Sequence, residues 1–264
     1  MEDKRRYLVP ILLSTGEILK FLSRYQHRKS TLSEISQALG ISKSTCFRIL
    51  RTLEEMKYVT YDKETKRFSL GSYLAVLGSR AMEQIDYLAL GRETLREMSR
   101  QTGLSCVIVQ RITENRLAYI AKEDGESHRL TIAVGNQFPI TQVFFGKLYL
   151  AYETPENRER ILADGLPRMT PLTITDVEQY KEELRKVRKL GYATSKEEYI
   201  EGIKAVAAPV FDSDGKILML IGCIGIAAHL PDGKLTEYGE LVKRHADELT
   251  ARLNGAIPPY EEIR

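Results

Sequence analysis

Cysteine and histidine are scarce in this chain, and their placement excludes most metal and redox chemistry. Three cysteines (Cys46, Cys106, Cys223) and four histidines (His27, His128, His229, His245) are spread over 264 residues. The cysteines are odd in number and far apart, with no Cys-x-x-Cys pair. That spacing argues against a disulfide framework or a zinc site and suits a reducing cytoplasm. The histidines lie far apart from one another, with no Cys/His metal spacing, so no metal or other cofactor is expected. Long apolar runs are missing too. The longest, ILMLIGCIGIAA at 217–228, is shorter than a membrane span and reads as a buried strand. YLVPILL at 7–13 follows Lys4, Arg5 and Arg6 but has too short an apolar core and no small-residue cleavage site for a signal peptide. GCIG at 222–225 is too short for a dinucleotide loop, Gly146-Lys147 lacks the upstream glycine of a phosphate loop, and no nucleophile elbow occurs.

What the chain does have is an uneven distribution of charge. Residues 1–72 carry 14 Lys and Arg against 8 Asp and Glu, net +6; the remainder carries 25 against 28, net −3, and the two return the overall +3. A basic head on a slightly acidic body is the pattern of a nucleic-acid-binding domain joined to something else. The length fits two domains, and 43% hydrophobic residues are enough for two cores.

In the head, Ser14–Tyr25 reads as a helix with Ile18, Leu19 and Leu22 on one face. TLSEISQALGISKSTCFRILRTLEEMKYV, residues 31–59, then describes helix, tight turn, helix. Thr31 and Glu34 have the spacing of a capping box, Gly40 stands where a helix ends in a left-handed residue, and Ser42 caps the next helix. Cys46, Ile49, Leu50, Leu53 and Met56 recur at helical spacing and face inward, which turns Lys43, Ser44, Thr45, Arg48 and Arg51 outward. A helix fits the DNA major groove: the hydroxyls of Ser42, Ser44 and Thr45 are short enough for phosphates or bases, Arg48 suits guanine, and Arg51 or Lys43 suits the backbone. YVTYDKETKRFSLG at 58–71 reads as a hairpin whose tip carries Lys63, Lys66 and Arg67. Helices followed by a basic hairpin make a winged helix. The same outward set on a plain helical hairpin would be no more than a solvated face.

These segments resemble the helix-turn-helix and wing of the IclR family of bacterial transcription regulators. One departure is Phe47, where relatives often have a polar residue; packing on the first helix and touching a thymine methyl both stay open.

In the body, residues 73–101 read as largely helical, with Leu74, Leu77, Met82, Ile85, Leu88, Leu95 and Met98 apolar. Strands are expected at 105–112, 116–123 and 129–134, helices over GKLYLAYE, PENRERIL and 175–191 with a Thr175/Glu178 capping box, a hairpin from 205–211 to 217–227, and a last helix over 236–253. The order implies an α+β domain around a mostly antiparallel sheet. GNQFPITQVFFGKLYLA and GYATSKEEYIEGIKAVAAPVFDSDGKILMLIGCIG resemble segments of the same family, so the likeness runs over roughly residues 14–255. It implies a winged helix-turn-helix domain at 8–71, a linker helix region at 72–100 and a GAF-like effector-binding and oligomerisation domain at 84–257.

The resemblance also implies function: a cytoplasmic dimer or tetramer that binds double-stranded operator DNA under control of a small organic or aromatic acid, with Thr31 among the DNA-contacting positions. The expected effector positions are Phe144, Phe145, Gly146, Ser195, Glu198, Ala205, Gly222 and Ile224. Several of these depart from relatives that bind small carboxylic acids and are bulkier or less polar, which points to a more apolar effector or to a filled pocket. Two other readings stay open: a small-molecule enzyme or sensor with the head as an interaction module, and an architectural DNA binder without ligand control.

Overall fold

Pro10 sets the start of the first helix. Its fixed φ suits the first helical position, so α1 runs from Pro10 to Ser23 and begins before the expected Ser14. The computed structural model describes residues 8–83, 86–126 and 130–258, and the chain divides into two compact units, Met1–Ile85 and Asp86–Arg264.

In the first unit α1 buries Ile18, Phe21 and Leu22. Strand β1 (Ser30–Thr31) leads into α2 (Leu32–Leu39) through the full capping box. The Glu34 N–H donates to Thr31 Oγ1 at 3.3 Å, and the Thr31 N–H donates to the Glu34 carboxylate at 2.7 Å. Gly40, at φ +64°, ends α2. Ser42 Oγ accepts the Thr45 N–H at 3.2 Å and starts α3 (Lys43–Glu55), which buries Cys46, Ile49, Leu50 and Leu53. Met56, expected inward, lies past the helix end and is exposed. Strands β2 (Val59–Asp62) and β3 (Arg67–Leu70) form the hairpin, and β1 adds a third antiparallel strand in the order β1-β3-β2. Helix α4 (Tyr73–Glu83) closes the unit.

The second unit opens with α5 (Asp86–Thr102). The segment 72–100, expected as a linker region, therefore holds two helices, one in each unit; Ile85 lies outside the described residues. Strands β4 (Ser105–Thr113), β5 (Arg116–Glu123) and β6 (Gln137–Pro139) follow, then a 3-10 turn at Ile140–Gln142 and helices α6 (Phe145–Ala151), α7 (Pro155–Leu162) and α8 (Val177–Leu190). Strands β7 (Ala193–Lys196), β8 (Ile203–Phe211) and β9 (Ile217–Ile226) and helix α9 (Asp232–Arg252) complete it. The six strands pair antiparallel throughout in the order β6-β5-β4-β9-β8-β7, an α+β domain.

Alternation along β4 separates the two faces of this sheet. Val107 and Val109 belong to the apolar cluster with α6 and α8. Ile108 faces α5, so close that a Cβ on Gly91 would stand 2.8 Å from its Cδ1. Cys106 and Cys223 are cross-strand partners, buried and free, with their sulfurs 3.3 Å apart.

Three expectations change here. No strand forms over 130–134: the Ile132 N–H turns back to Leu130 O at 2.9 Å, which withdraws the backbone from the ladder, and the edge strand is β6 instead; Arg129 lies outside the described residues. The cap of α8 is Asp176, whose carboxylate accepts the Gln179 N–H at 2.7 Å, and not Thr175. The last helix starts at Asp232 instead of Thr236.

Candidate functional site

The outward face of α3 is polar and mostly cationic. Lys43, Ser44, Arg48, Arg51 and Thr52 are exposed, and among the described residues Lys43, Arg48, Lys63 and Lys66 make no ion pair. Arg51 is tied to Glu54 at 2.7 Å, an exposed pair of small energetic weight that phosphate can displace. Ser42 and Thr45 are engaged with each other: Ser42 Oγ takes the Thr45 N–H and donates to Thr45 Oγ1 at 2.9 Å, so these two hydroxyls build the helix start. Thr31 is likewise held by its capping box.

In the hairpin, Asp62 Oδ1 accepts the Glu64 and Thr65 N–H groups, and Lys66 takes a left-handed φ of +54°. This loop presents Lys63 and Lys66. Arg67, expected at the tip, instead lies in β3 and turns back, its guanidinium donating to Lys29 O at 2.8 Å and to Glu34 at 3.3 Å. Phe47 stays out of the core, 49% exposed on α3.

The second candidate site lies on the α6/α8 face of the large sheet. The strand register sets Ser195, Ala205 and Ile224 side by side across β7, β8 and β9, and Gly222 lies two residues along β9, opposite Ala207. A Cβ on Gly222 would meet Val206 O at 2.7 Å, so the strand has no room there for a larger side chain. Phe144 and Phe145 are buried in the same cluster as Ala205 and Ile224. Their ring centroids are 4.1 Å apart, and Phe145 meets Tyr119 edge-on at 6.0 Å and stacks near Phe138 at 6.3 Å. Gly146 is required by close approach: a Cβ there would lie 1.8 Å from Ile140 O. All the expected effector positions but Glu198 thus line or support one apolar wall.

Glu198 belongs to a polar group beside it. Lys147, fully buried on α6, donates to Glu198 at 2.6 Å and to Thr194 O at 3.4 Å, and lies 3.6 Å from Glu183 on α8. Tyr180 and Tyr199 stand beside these carboxylates, and the buried Tyr180 hydroxyl has no hydrogen-bond partner among the described residues; burial, first of all, pushes both phenols well up. Burial likewise pushes Tyr119 up to about 12. Thr170 and Thr173 hold the loop before β8, donating to Glu197 O at 2.8 Å and Glu198 O at 2.6 Å. The arrangement offers neutral phenols and a lysine whose charge is matched by two glutamates next to an aromatic wall, a chemistry suited to binding.

Lys147, Glu183, Tyr180 and Tyr199 were absent from the expected set. One signal was available, a single lysine inside the otherwise apolar VFFGKLYLA, since a charge at such a position must find a buried partner. Among the described residues, no cluster of His, Cys, Asp and Glu is placed to hold a metal ion, and no helix is long and apolar enough to cross a membrane.

Comparison with known proteins finds matches for both parts of the chain. The IclR helix-turn-helix family model matches residues 15–63, and the model for the C-terminal domain of bacterial IclR transcriptional regulators matches residues 79–251. The HTH-type transcriptional regulator KdgR of Escherichia coli is 30% identical over 261 residues, covering 98% of each chain. An IclR transcriptional regulator of Alicyclobacillus acidocaldarius, solved by crystallography, is 37% identical with a TM-score of 0.87, covering 94% of this chain and all of that one. An IclR homolog of Microbacterium hydrocarbonoxydans, crystallised with 4-hydroxybenzoate, shares the fold at 18% identity and a TM-score of 0.77, over 92% of this chain and 98% of that one. With family models matching both parts of the chain and a relative that is a regulator along nearly the whole length, the chain belongs to the IclR family of bacterial transcriptional regulators, a family of DNA-binding proteins.

Proposed function

We propose that the protein is a ligand-responsive regulator in the cytoplasm, binding operator DNA as a dimer or as a pair of dimers, with a small organic or aromatic acid adjusting its affinity. The observation that carries this reading is the free cationic face of α3, Lys43 and Arg48 above all, in a unit distinct from the one that gathers the candidate effector residues. Ser44 and Arg48 face base edges, Lys43, Arg51, Lys63 and Lys66 face phosphates, and Thr31, Ser42, Thr45 and Arg67 shape the elements that present them. The effector acts only by binding one subunit arrangement better than another, which changes how two heads meet adjacent major grooves.

Selection of binding sites from random duplex DNA, followed by affinity measurement over a range of salt, tests the head. Arg48→Ala is expected to lose about 1–3 kcal/mol and to relax specificity at one base pair. Uniform weakening on every sequence would instead make Arg48 a phosphate contact.

Self-association has its own support. Leu8 and Val9 just before α1, Ile11, Leu12 and Leu13 in its first turn, and Tyr73, Val76 and Leu77 on α4 are exposed within one unit, apolar surface of the kind a second copy would cover. Leu12→Glu combined with Leu13→Glu is expected to yield monomers by sedimentation at micromolar concentration and to weaken operator binding more than tenfold, since two half-sites are then bound independently. A double variant that remains dimeric would move the interface elsewhere.

A second reading is favoured by one specific observation, the burial of Phe144 at 5% and Phe145 at 1% exposure. In that reading the rings close the effector site, and the domain serves only as an assembly platform.

A further inference from the structure

We propose that Phe47 reads the 5-methyl group of a thymine in the operator half-site; this rests on α3 being the helix that enters the major groove. The core side of α3 is already filled by Cys46, Ile49, Leu50 and Leu53, and Phe47 projects away from it, three residues after Ser44 and four before Arg51 on the outward half of the helix. A phenyl ring has no hydrogen-bonding group, so in the groove it can recognise only an apolar feature. The thymine 5-methyl is the apolar feature that base edges present there.

The surroundings fit this use. Beside Phe47 opens a recess of about 420 Å³ whose wall includes Leu32, Tyr61 and Phe68, with Arg51 and Lys66 also lining it. A methyl group seated against the ring leaves water for an apolar surface, while the two cations are placed for the phosphates of the same strand. A polar residue at this position would give up that contact, so Phe47 sets a sequence preference that a merely cationic helix lacks.

The test uses the full-length protein and a site selected from a random duplex library. Each thymine of the selected half-site is replaced in turn by deoxyuridine, which removes the methyl and leaves the hydrogen-bonding edge unchanged. One position is expected to lose about fourfold in affinity per half-site, the effect of one methyl group no longer buried. In Phe47→Ala the uracil penalty at that position disappears while the other positions behave as before, and Phe47→Leu retains part of it. An enriched site whose uracil scan is flat, or a penalty that persists at full size in both variants, overturns the assignment and leaves the DNA-binding reading intact. Failure to enrich any sequence overturns both.

Discussion

Replacing Lys147 by methionine is expected to lower the stability of the protein by about 3–5 kcal/mol, the usual cost of removing one partner from a buried ion pair. The ammonium group is fully buried, and its two carboxylates are only 14% and 22% exposed at Glu198 and Glu183. Methionine fits the volume of the lysine stem, so lost packing contributes little. The cost arises because Glu198 loses a 2.6 Å charge-assisted hydrogen bond and is left near a second carboxylate in a region shielded from water. Urea unfolding of the full chain, with circular dichroism as the signal, measures the difference. The combination of Lys147→Met with Glu183→Gln and Glu198→Gln is expected to recover most of it, because no buried charge then remains uncompensated; Lys186, which pairs with Glu183 at 3.4 Å, is itself exposed to water. A loss under about 1 kcal/mol, or a triple variant no better than the single, would show that the group is solvated and not an internal ion pair. The same cluster bears on the ligand. A carboxylate bound there would meet a lysine already matched by two glutamates, so its recognition would have to come from the Tyr180 and Tyr199 hydroxyls and the aromatic wall, or from displacement of Glu198.

Much of the head was legible because its determinants are local. Thr31, Glu34, Gly40 and Ser42 act within four residues of themselves, and the alternation through β2 and β3 needs only neighbouring positions, so the helix-turn-helix and hairpin follow from the order of residues. Arg67, which lies in β3 and not at the hairpin tip, was not legible there for the opposite reason. Its partner Glu34 is 33 residues away, and β1, which brings the two together, is only two residues long. In the body the strand pair β8–β9 was readable from its apolar runs and the intervening turn, whereas β6 was not, since three residues at a sheet edge carry no period of their own. The convergence of Ser195, Ala205 and Ile224 followed from the family likeness and became geometry only through the register. Lys147 was visible as an anomaly; that Glu183 and Glu198 answer it depends on α8 and on the loop after β7, which the local pattern does not place.

Phe145→Ala is expected to cost about 3–5 kcal/mol, as truncation of a fully buried phenylalanine does when its surroundings collapse only in part. The ring is 1% exposed and wedged among Phe144, Phe138 and Tyr119, three aromatic neighbours with restricted freedom to close the gap. The stability loss alone establishes only that the ring belongs to the core, but the cavity it leaves separates the two readings of the domain. Full-length wild type and variant are heated with 4-hydroxybenzoate, benzoate and phenol at millimolar concentration. A compound that binds the native state at a hundred times its dissociation constant adds about 2.7 kcal/mol, a readily measured rise in midpoint. If the wild type responds and Phe145→Ala does not, the ring is a wall of an open effector site. If only the variant responds, the ring occupies the space a ligand would need and the closed reading holds. If neither responds, these three compounds are excluded as ligands of this wall, in the native site and in the enlarged one.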